Sequence, residues 1–258
     1  QVKLKHLLYH TSGLPDYRPY YITLSRLPQK ARRKALRECL LKEALVNPIG
    51  KEVVYSDLGF MILAWAMEHI SGQRLDCFLA EEIYQPLGLR HLFFVSLDTP
   101  FHGGLFAATE NCPWRDMILE GQVHDENAYA VGGVEGHAGL FGTAENIHHL
   151  LYALLSSYLG YPSYHLFPTD LVRLFFKRLP HTDKALGFDT PSLRGSSCGS
   201  YFSIKSVGHL GFTGTSFWMD LDRKISVILL TNRVHLTRQN NAIKAFRPKL
   251  HDAVMKTI

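Results

Sequence analysis

The stretch from Ser206 to Thr231 constrains this chain most. It reads SVGHLGFTGTSFWMDLDRKISVILLT. Glycines alternate with apolar and hydroxyl residues up to Met219, and a charged turn follows at Asp220-Leu221-Asp222-Arg223-Lys224. The β-branched run from Ile225 to Thr231 is typical of a buried strand, so the segment predicts antiparallel strands joined by a tight turn. Tyr201-Phe202-Ser203-Ile204, just upstream, is expected to be extended as well.

Before residue 185 the pattern is helical. Val2–His10 has apolar residues at helical spacing and stops at the Gly/Pro turn Thr11-Ser12-Gly13-Leu14-Pro15. Residues 26–46 are rich in helix formers and are closed by Pro48 and Gly50. Ser56 or Asp57 can cap a helix carrying Leu58, Met61, Ile62, Trp65 and Ile70, which ends at Ser71-Gly72. Residues 74–84 predict another helix, 95–140 are loop-rich, and Thr143 caps a helix reaching Leu159 with Glu145 in its first turn. Helices are expected over 169–178 and, at the end, over Thr237–Met255. Helices, then antiparallel strands, then a helix is an α+β order and not a βαβ alternation. The expected organisation is a mostly helical region over 1–185 and a strand-and-helix region over 186–258.

Composition excludes several classes. A chain of 258 residues with 46% hydrophobic and 20% charged residues is an ordinary globular one. Its net charge of +5 is dispersed except for Lys30, Arg32, Arg33, Lys34 and Arg37, which read as a solvated helix face. Aromatic residues do not interleave with that run, so no nucleic-acid partner is expected. Cys39, Cys77, Cys112 and Cys198 form no C-x-x-C pair, which removes zinc ribbons and thioredoxin-type chemistry. No apolar run reaches the roughly 18 residues a bilayer span needs. The pairs Gly103-Gly104 and Gly132-Gly133 lie outside any phosphate-loop spacing, and His148-His149 lacks a partner four residues away. No cofactor and no metal are therefore expected. G-x-S-x-G is absent, which argues against an α/β-hydrolase.

Four stretches stand above this background: LLYHTSGLPDY (7–17), VVYSDLGF (53–60) with PLGL (86–89), AYAVGGVEGHAGLFGTAENI (128–147) and GHLGFTGTSFWMDLDRKISVILLTNRVH (208–235). In this order and spacing they resemble the serine hydrolase family of class C β-lactamases, DD-peptidases (penicillin-binding proteins) and related esterases. The resemblance runs from Lys3 to Arg238. It implies a β-lactamase/transpeptidase-like fold, an antiparallel sheet flanked by helices beside a mostly helical subdomain, with one cleft shared between the two regions. It also implies an acyl-enzyme mechanism and a small-molecule or peptide substrate, and it points to the periplasm or another extracytoplasmic location.

Carried over residue by residue, the resemblance makes Tyr55 the tyrosine that helps the nucleophile lose its proton. Asp57 stands where the family usually has Asn; a carboxylate accepts hydrogen bonds but cannot donate as an amide does. His209-Leu210-Gly211 matches the Lys-Thr-Gly or His-x-Gly motif of the cleft strand. Gly211 would let substrate backbone approach, and the Phe212 N–H would supply the strand's half of an oxyanion hole. His209 in place of Lys leans from β-lactamase towards esterase or peptidase. His137-Ala138-Gly139 has the same spelling but precedes a helix, and reads as a packing turn.

The family's nucleophile lies in Ser-x-x-Lys, and no serine of this chain has a lysine three residues on. The chain opens at Gln1 directly into the amphipathic VKLKHLLYH, eleven residues before Ser12. The family's first strands and nucleophile helix are thus expected to be missing and supplied by a companion segment, without which the sheet would keep an unpaired edge. This chain alone would then be inactive. The alternatives are a non-catalytic binding or scaffold module of the same fold, and an esterase using Ser12 with His10.

Overall fold

The structure, a computed structural model, describes residues 1–99, 104–161 and 166–258. Gly103, half of the first glycine pair, lies outside the described residues. Among the described residues the helices are α1 (Leu4–Leu8), α2 (Tyr21–Leu24), α3 (Gln29–Lys42), α4 (Asp57–Ser71), α5 (Leu75–Leu79), α6 (Glu126–Ala130), α7 (Ala144–Leu159), α8 (Thr169–Phe175) and α9 (Ile243–Thr257). The strands are β1 (Leu92–Phe94), β2 (Asn111–Cys112), β3 (Met117–Ile118), β4 (Leu140–Gly142), β5 (Lys184–Ala185), β6 (Phe188–Asp189), β7 (Val207–Leu210), β8 (Ser216–Asp220) and β9 (Ile225–Leu229). They fall into two compact units, 1–107 with 119–142 and 108–118 with 143–258. Residue 185, where the sequence pattern changes, lies inside the second unit. No helix among the described residues is long and apolar enough to cross a membrane.

The first unit is helical around a leucine-rich core. Leu58 and Met61, one helical turn apart on α4, are buried with Leu7 of α1, Leu24 of α2, Leu36 and Leu40 of α3, and Ala130 and Val131. The other end of α4 buries Ala64 with Leu75 and Val134. Gly72 ends α4 in the left-handed conformation, as its position after Ser71 predicts. The helix expected over 74–84 is α5 followed by a π-helical turn at Ala80–Tyr84. Between the helices runs an ion-pair chain: Arg37 bonds Glu135 at 3.0 Å and Glu68 at 3.2 Å, and Glu135 is fully buried.

In the second unit the sheet order is β5-β6-β7-β8-β9, antiparallel throughout. Val207 and Met219, directly opposite one another, face the core made with Leu151 and Leu155 of α7 and Val172 of α8. One residue on, Trp218 points to the other face and packs with Cys198, Phe202 and Met255 of α9. Its cross-strand partner is Gly208, where an added Cβ would lie 2.4 Å from the Trp218 ring, so only glycine fits. Helices on both faces of an antiparallel sheet give the α+β layering expected from the sequence. Thr143 caps α7 as predicted, its Oγ1 accepting from Asn146 N at 3.3 Å.

Two local expectations fail for physical reasons. Tyr201–Ile204 is not a strand: the Ser203 N–H donates to the Asp220 carboxylate at 2.8 Å, and Ser206 N–H turns back to the Ser203 carbonyl at 3.0 Å. The closing helix starts at Ile243 and not at Thr237, because local bonds hold the chain in turns, among them Asn240 Oδ1 accepting from Ala242 N at 3.0 Å.

Candidate active site

Tyr55 stands at the entrance to α4 and is 45% exposed, while His10, Thr11, Ser12 and Ser56 behind it are buried. The Thr11-Ser12-Gly13 turn builds that backing. Val54 N–H donates to the His10 carbonyl at 2.9 Å, Ser56 N–H donates to His10 Nδ1 at 3.0 Å, and the Ser56 hydroxyl donates to the Pro15 carbonyl at 2.6 Å. The His10 ring lies 4.4 Å from the Tyr55 ring, centroid to centroid. Gly13 adopts φ +81°, and a Cβ there would lie 2.1 Å from the Asn47 carbonyl oxygen, which explains the glycine of this turn. Ser56 occupies the N-cap position without capping, since its hydroxyl is committed to Pro15. Ser12 is 1% exposed and its Oγ accepts the Leu14 N–H at 3.3 Å, so a substrate cannot reach it.

Asp57, the first residue of α4, does not stand alone. One donor atom each from Asp57, Asp125 and His137 lies within 4.8 Å of the others. Asp125 is the N-cap of α6; its Oδ1 accepts from Ala128 N at 2.7 Å and pairs with His137 Nε2 at 2.9 Å. Burial pushes the Asp57 carboxyl above its ordinary range, His137 opposes this, and Asp125 and Asp16 add to it. Burial also works against a charged His137, but the Asp125 carboxylate outweighs it and the imidazole is held above its ordinary value. Asp125 moves the opposite way for the reciprocal reason. The turn around His137 packs tightly, as expected: a Cβ on Gly136 would lie 2.3 Å from the Phe60 carbonyl oxygen. It leads into the short strand β4, paired with β1, before α7 begins, and not straight into a helix.

His209 lies on β7, opposite Phe217. Its Nδ1 sits 3.0 Å from the Leu210 carbonyl. Burial lowers its pKa, Asp189 opposes the drop and Lys184 adds to it. Lys184 and Asp189 pair with each other on β5 and β6. The turn after His209 is pinned by two arginines. Arg247 of α9 donates to the carbonyls of Gly211 at 3.1 Å and Thr215 at 2.8 Å, while Arg233 donates to the Phe212 carbonyl at 2.7 Å and stacks on the Phe212 ring at 4.4 Å. Phe212 itself is exposed.

The sequence pattern singles out Tyr55 and Asp57, which lie in the first unit, and His209, Gly211 and Phe212, which lie in the second. It gives no sign of His10 as the backing of Tyr55, or of Asp125 and His137 as neighbours of Asp57. Asp125 could have been noticed as the cap of a short helix; its partner 12 residues on could not.

A family model described as Beta-lactamase matches residues 1–247. The chain is 32% identical to an Escherichia coli (strain K12) protein named "Putative D-alanyl-D-alanine carboxypeptidase", over 91% of this chain and 57% of that protein. It is 34% identical to a Bacillus subtilis (strain 168) protein named N-acetylmuramyl-L-alanine amidase, with the same coverage of 91% and 57%. The chain therefore spans somewhat over half the length of these relatives. Among solved structures it resembles a penicillin-binding protein from Bacillus halodurans, with a TM-score of 0.66 and 20% identity over 96% of this chain and 72% of that one. It also resembles unliganded simvastatin synthase from Aspergillus terreus in its selenomethionyl form, with a TM-score of 0.67 and 18% identity over 100% and 69% of the two chains. At these identities the structural matches speak for the fold.

Proposed function

The chain belongs to the β-lactamase family of serine acyl-transfer hydrolases, and on that premise we propose that it carries the base and the substrate-holding strand of an acyl-enzyme site whose Ser-x-x-Lys nucleophile lies outside this chain. The observation that carries the reading is the setting of Tyr55: a buried turn bonded to the backbone on either side of it, and a tyrosine that is itself 45% exposed. In the proposed step Tyr55, as phenolate, takes the proton of the attacking serine and returns it to the leaving group. A phenol of ordinary pKa about 10 needs a neighbouring cation to do this at neutral pH. The nucleophile segment's lysine would provide it.

In the family's pattern His209, Gly211 and Phe212 are the substrate-holding strand. His209 offers the hydrogen bonding of an imidazole in place of the fixed positive charge of the Lys-Thr-Gly version. That favours an ester or peptide-type amide over a β-lactam. The names of the two curated relatives, a D-alanyl-D-alanine carboxypeptidase and an N-acetylmuramyl-L-alanine amidase, support a peptide-type amide. The alternative is a non-catalytic binding or scaffold module of the same fold, with which Asp57 in place of the family's Asn is equally compatible.

The test is labelling of the purified protein with a fluorescent penicillin and a fluorophosphonate, followed by intact mass. Label on an accompanying polypeptide that bears Ser-x-x-Lys supports the hydrolase, and Tyr55→Phe should then slow acylation about 100-fold or more, the usual worth of a general base. Label that peptide mapping places on a serine within residues 1–258 would overturn the assignment. With the nucleophile segment present and no label formed, the binding module is the answer.

A further inference from the structure

The buried face of α9 carries Ile243, Arg247, His251 and Met255, one every four residues. Ile243 and Met255 fill that face as apolar residues do. Arg247 is only 6% exposed, and among the described residues it pairs with no carboxylate. Burial works against its charge, the neighbouring cation Arg233 adds to this, and its Nε is left without a partner. A buried guanidinium on these terms costs stability that an apolar side chain would not. What it supplies instead is a pair of bonds to main chain: its Nη2 donates to the carbonyls of Gly211 at 3.1 Å and Thr215 at 2.8 Å.

Both carbonyls belong to the turn after His209. The Gly211 N–H donates to the Thr215 carbonyl at 2.8 Å, and the Gly214 N–H donates back to the Gly211 carbonyl at 3.1 Å, which closes a tight turn over 211–214. Gly211 is required there, since a Cβ would lie 2.1 Å from Thr215 Oγ1. The peptide joining Gly211 to Phe212 is planar and trans, so its C=O and its N–H point in opposite directions. An arginine that fixes the Gly211 carbonyl therefore fixes the direction of the Phe212 N–H. Arg233 acts one peptide further on. Its Nε donates to the Phe212 carbonyl at 2.7 Å and its backbone N–H to the Thr213 carbonyl at 2.7 Å. The two arginines thus hold successive peptides of one turn, and Arg247 holds the one that carries the Phe212 N–H.

We propose that Arg247, through the Gly211 carbonyl, aims the Phe212 N–H and is thereby a positioning residue for the strand's oxyanion donor. Its part in the reaction rests on the acyl-transfer reading above; the aiming of the amide does not. Oxyanion donors act by being fixed in place before charge develops on the substrate oxygen. A misdirected amide therefore lowers kcat and leaves ground-state binding close to what it was.

The experiment has two readouts. The first needs no activity: the residual dipolar coupling of the Phe212 amide in the aligned, ¹⁵N-labelled protein. Arg247→Met should change that coupling or average it out while those of Val207–Leu210 stay as they were, and Arg247→Lys, which can still reach one carbonyl, should shift it less. Where Arg247→Met fails to fold, Arg247→Lys reads the same coupling. The second is steady-state hydrolysis of p-nitrophenyl acetate by the complete protein. Arg247→Met should lower kcat about tenfold or more with KM changed less than about twofold, Arg247→Lys should recover part of the loss, and Lys249→Ala on the exposed side of α9 should change neither. An unchanged Phe212 coupling overturns the proposal, and so does an unchanged kcat in a protein that Tyr55→Phe does slow. Where Tyr55→Phe slows nothing, the acyl-transfer reading is what fails, and the Phe212 coupling still decides whether Arg247 aims the amide.

Discussion

The Tyr55 segment and the His209 strand carry two parts of one family signature, yet different bonds hold them. Tyr55 is set by side chains: the His10 ring, its Nδ1 on the Ser56 N–H, and the Ser56 hydroxyl on Pro15. His209 is set by backbone: the β7–β8 ladder runs in register from Val207 opposite Met219 to Leu210 opposite Ser216, and arginine clamps on main-chain carbonyls hold the turn beyond it. A segment placed by side chains depends on residue identity at a few distant positions. A segment placed by a ladder depends on the strands being there at all.

The contrast can be tested from its largest expected effects downward. Arg37→Met leaves the fully buried Glu135 carboxylate without its ion-pair partner, and the first unit should lose about 3–5 kcal/mol in chemical denaturation. Trp218→Ala should cost the second unit about as much, roughly 3–5 kcal/mol, through the cavity left between the sheet and α9. Equal losses would show that an ion pair in one unit and an aromatic in the other carry comparable weight.

His10→Ala comes next. It strands the buried Ser56 N–H at a cost of about 1–3 kcal/mol, and amide exchange at Tyr55 and Ser56 should quicken. The matching change, His209→Ala, should leave exchange across Val207–Leu210 as it was, since the ladder does not use that side chain. Faster exchange in both would break the distinction.

Acid gives a smaller and graded effect. Burial holds His209 and His251 below the ordinary histidine value of 6.5, so below that pH the unfolded chain binds more protons than the folded one. The second unit should therefore be at full stability above pH 6.5 and lose it as the pH falls towards the folded values. For Asp220, burial opposes the charge, but backbone N–H groups of Arg223, Ser203 and Asp222 prevail and lower its pKa. A second loss should then begin below the ordinary aspartate value of 3.8. Midpoints followed by tryptophan fluorescence check both, and stability that rises on acidification would refute the assignment. The smallest effect is Lys205→Ala: its pairing with Asp222 is exposed, and no change in melting temperature should be measurable.

Much of the chain is legible in its sequence because it rests on short-range rules. The cap at Thr143 and the glycine stops after α4 and α7 follow from helix ends needing partners for their free backbone groups. The charged turn between β8 and β9 is marked by its polar residues, and the alternation that sends Met219 and Trp218 to opposite faces follows from the two-residue period of a strand. Motif order marked Tyr55 and His209.

The tertiary structure decided the rest, because long-range partners leave no periodic trace. Tyr201–Ile204 has strand-forming residues, and it turns because a carboxylate 17 positions from Ser203 offers its N–H a better acceptor than any strand does. Ser56 looks like a helix cap and spends its hydroxyl on Pro15, 41 residues away. His137 looks like part of a packing turn, and it becomes the centre of an acidic cluster only when α4 and α6 bring Asp57 and Asp125 to it. Local backbone chemistry wrote the elements into the sequence; which charges share a buried space was settled by packing.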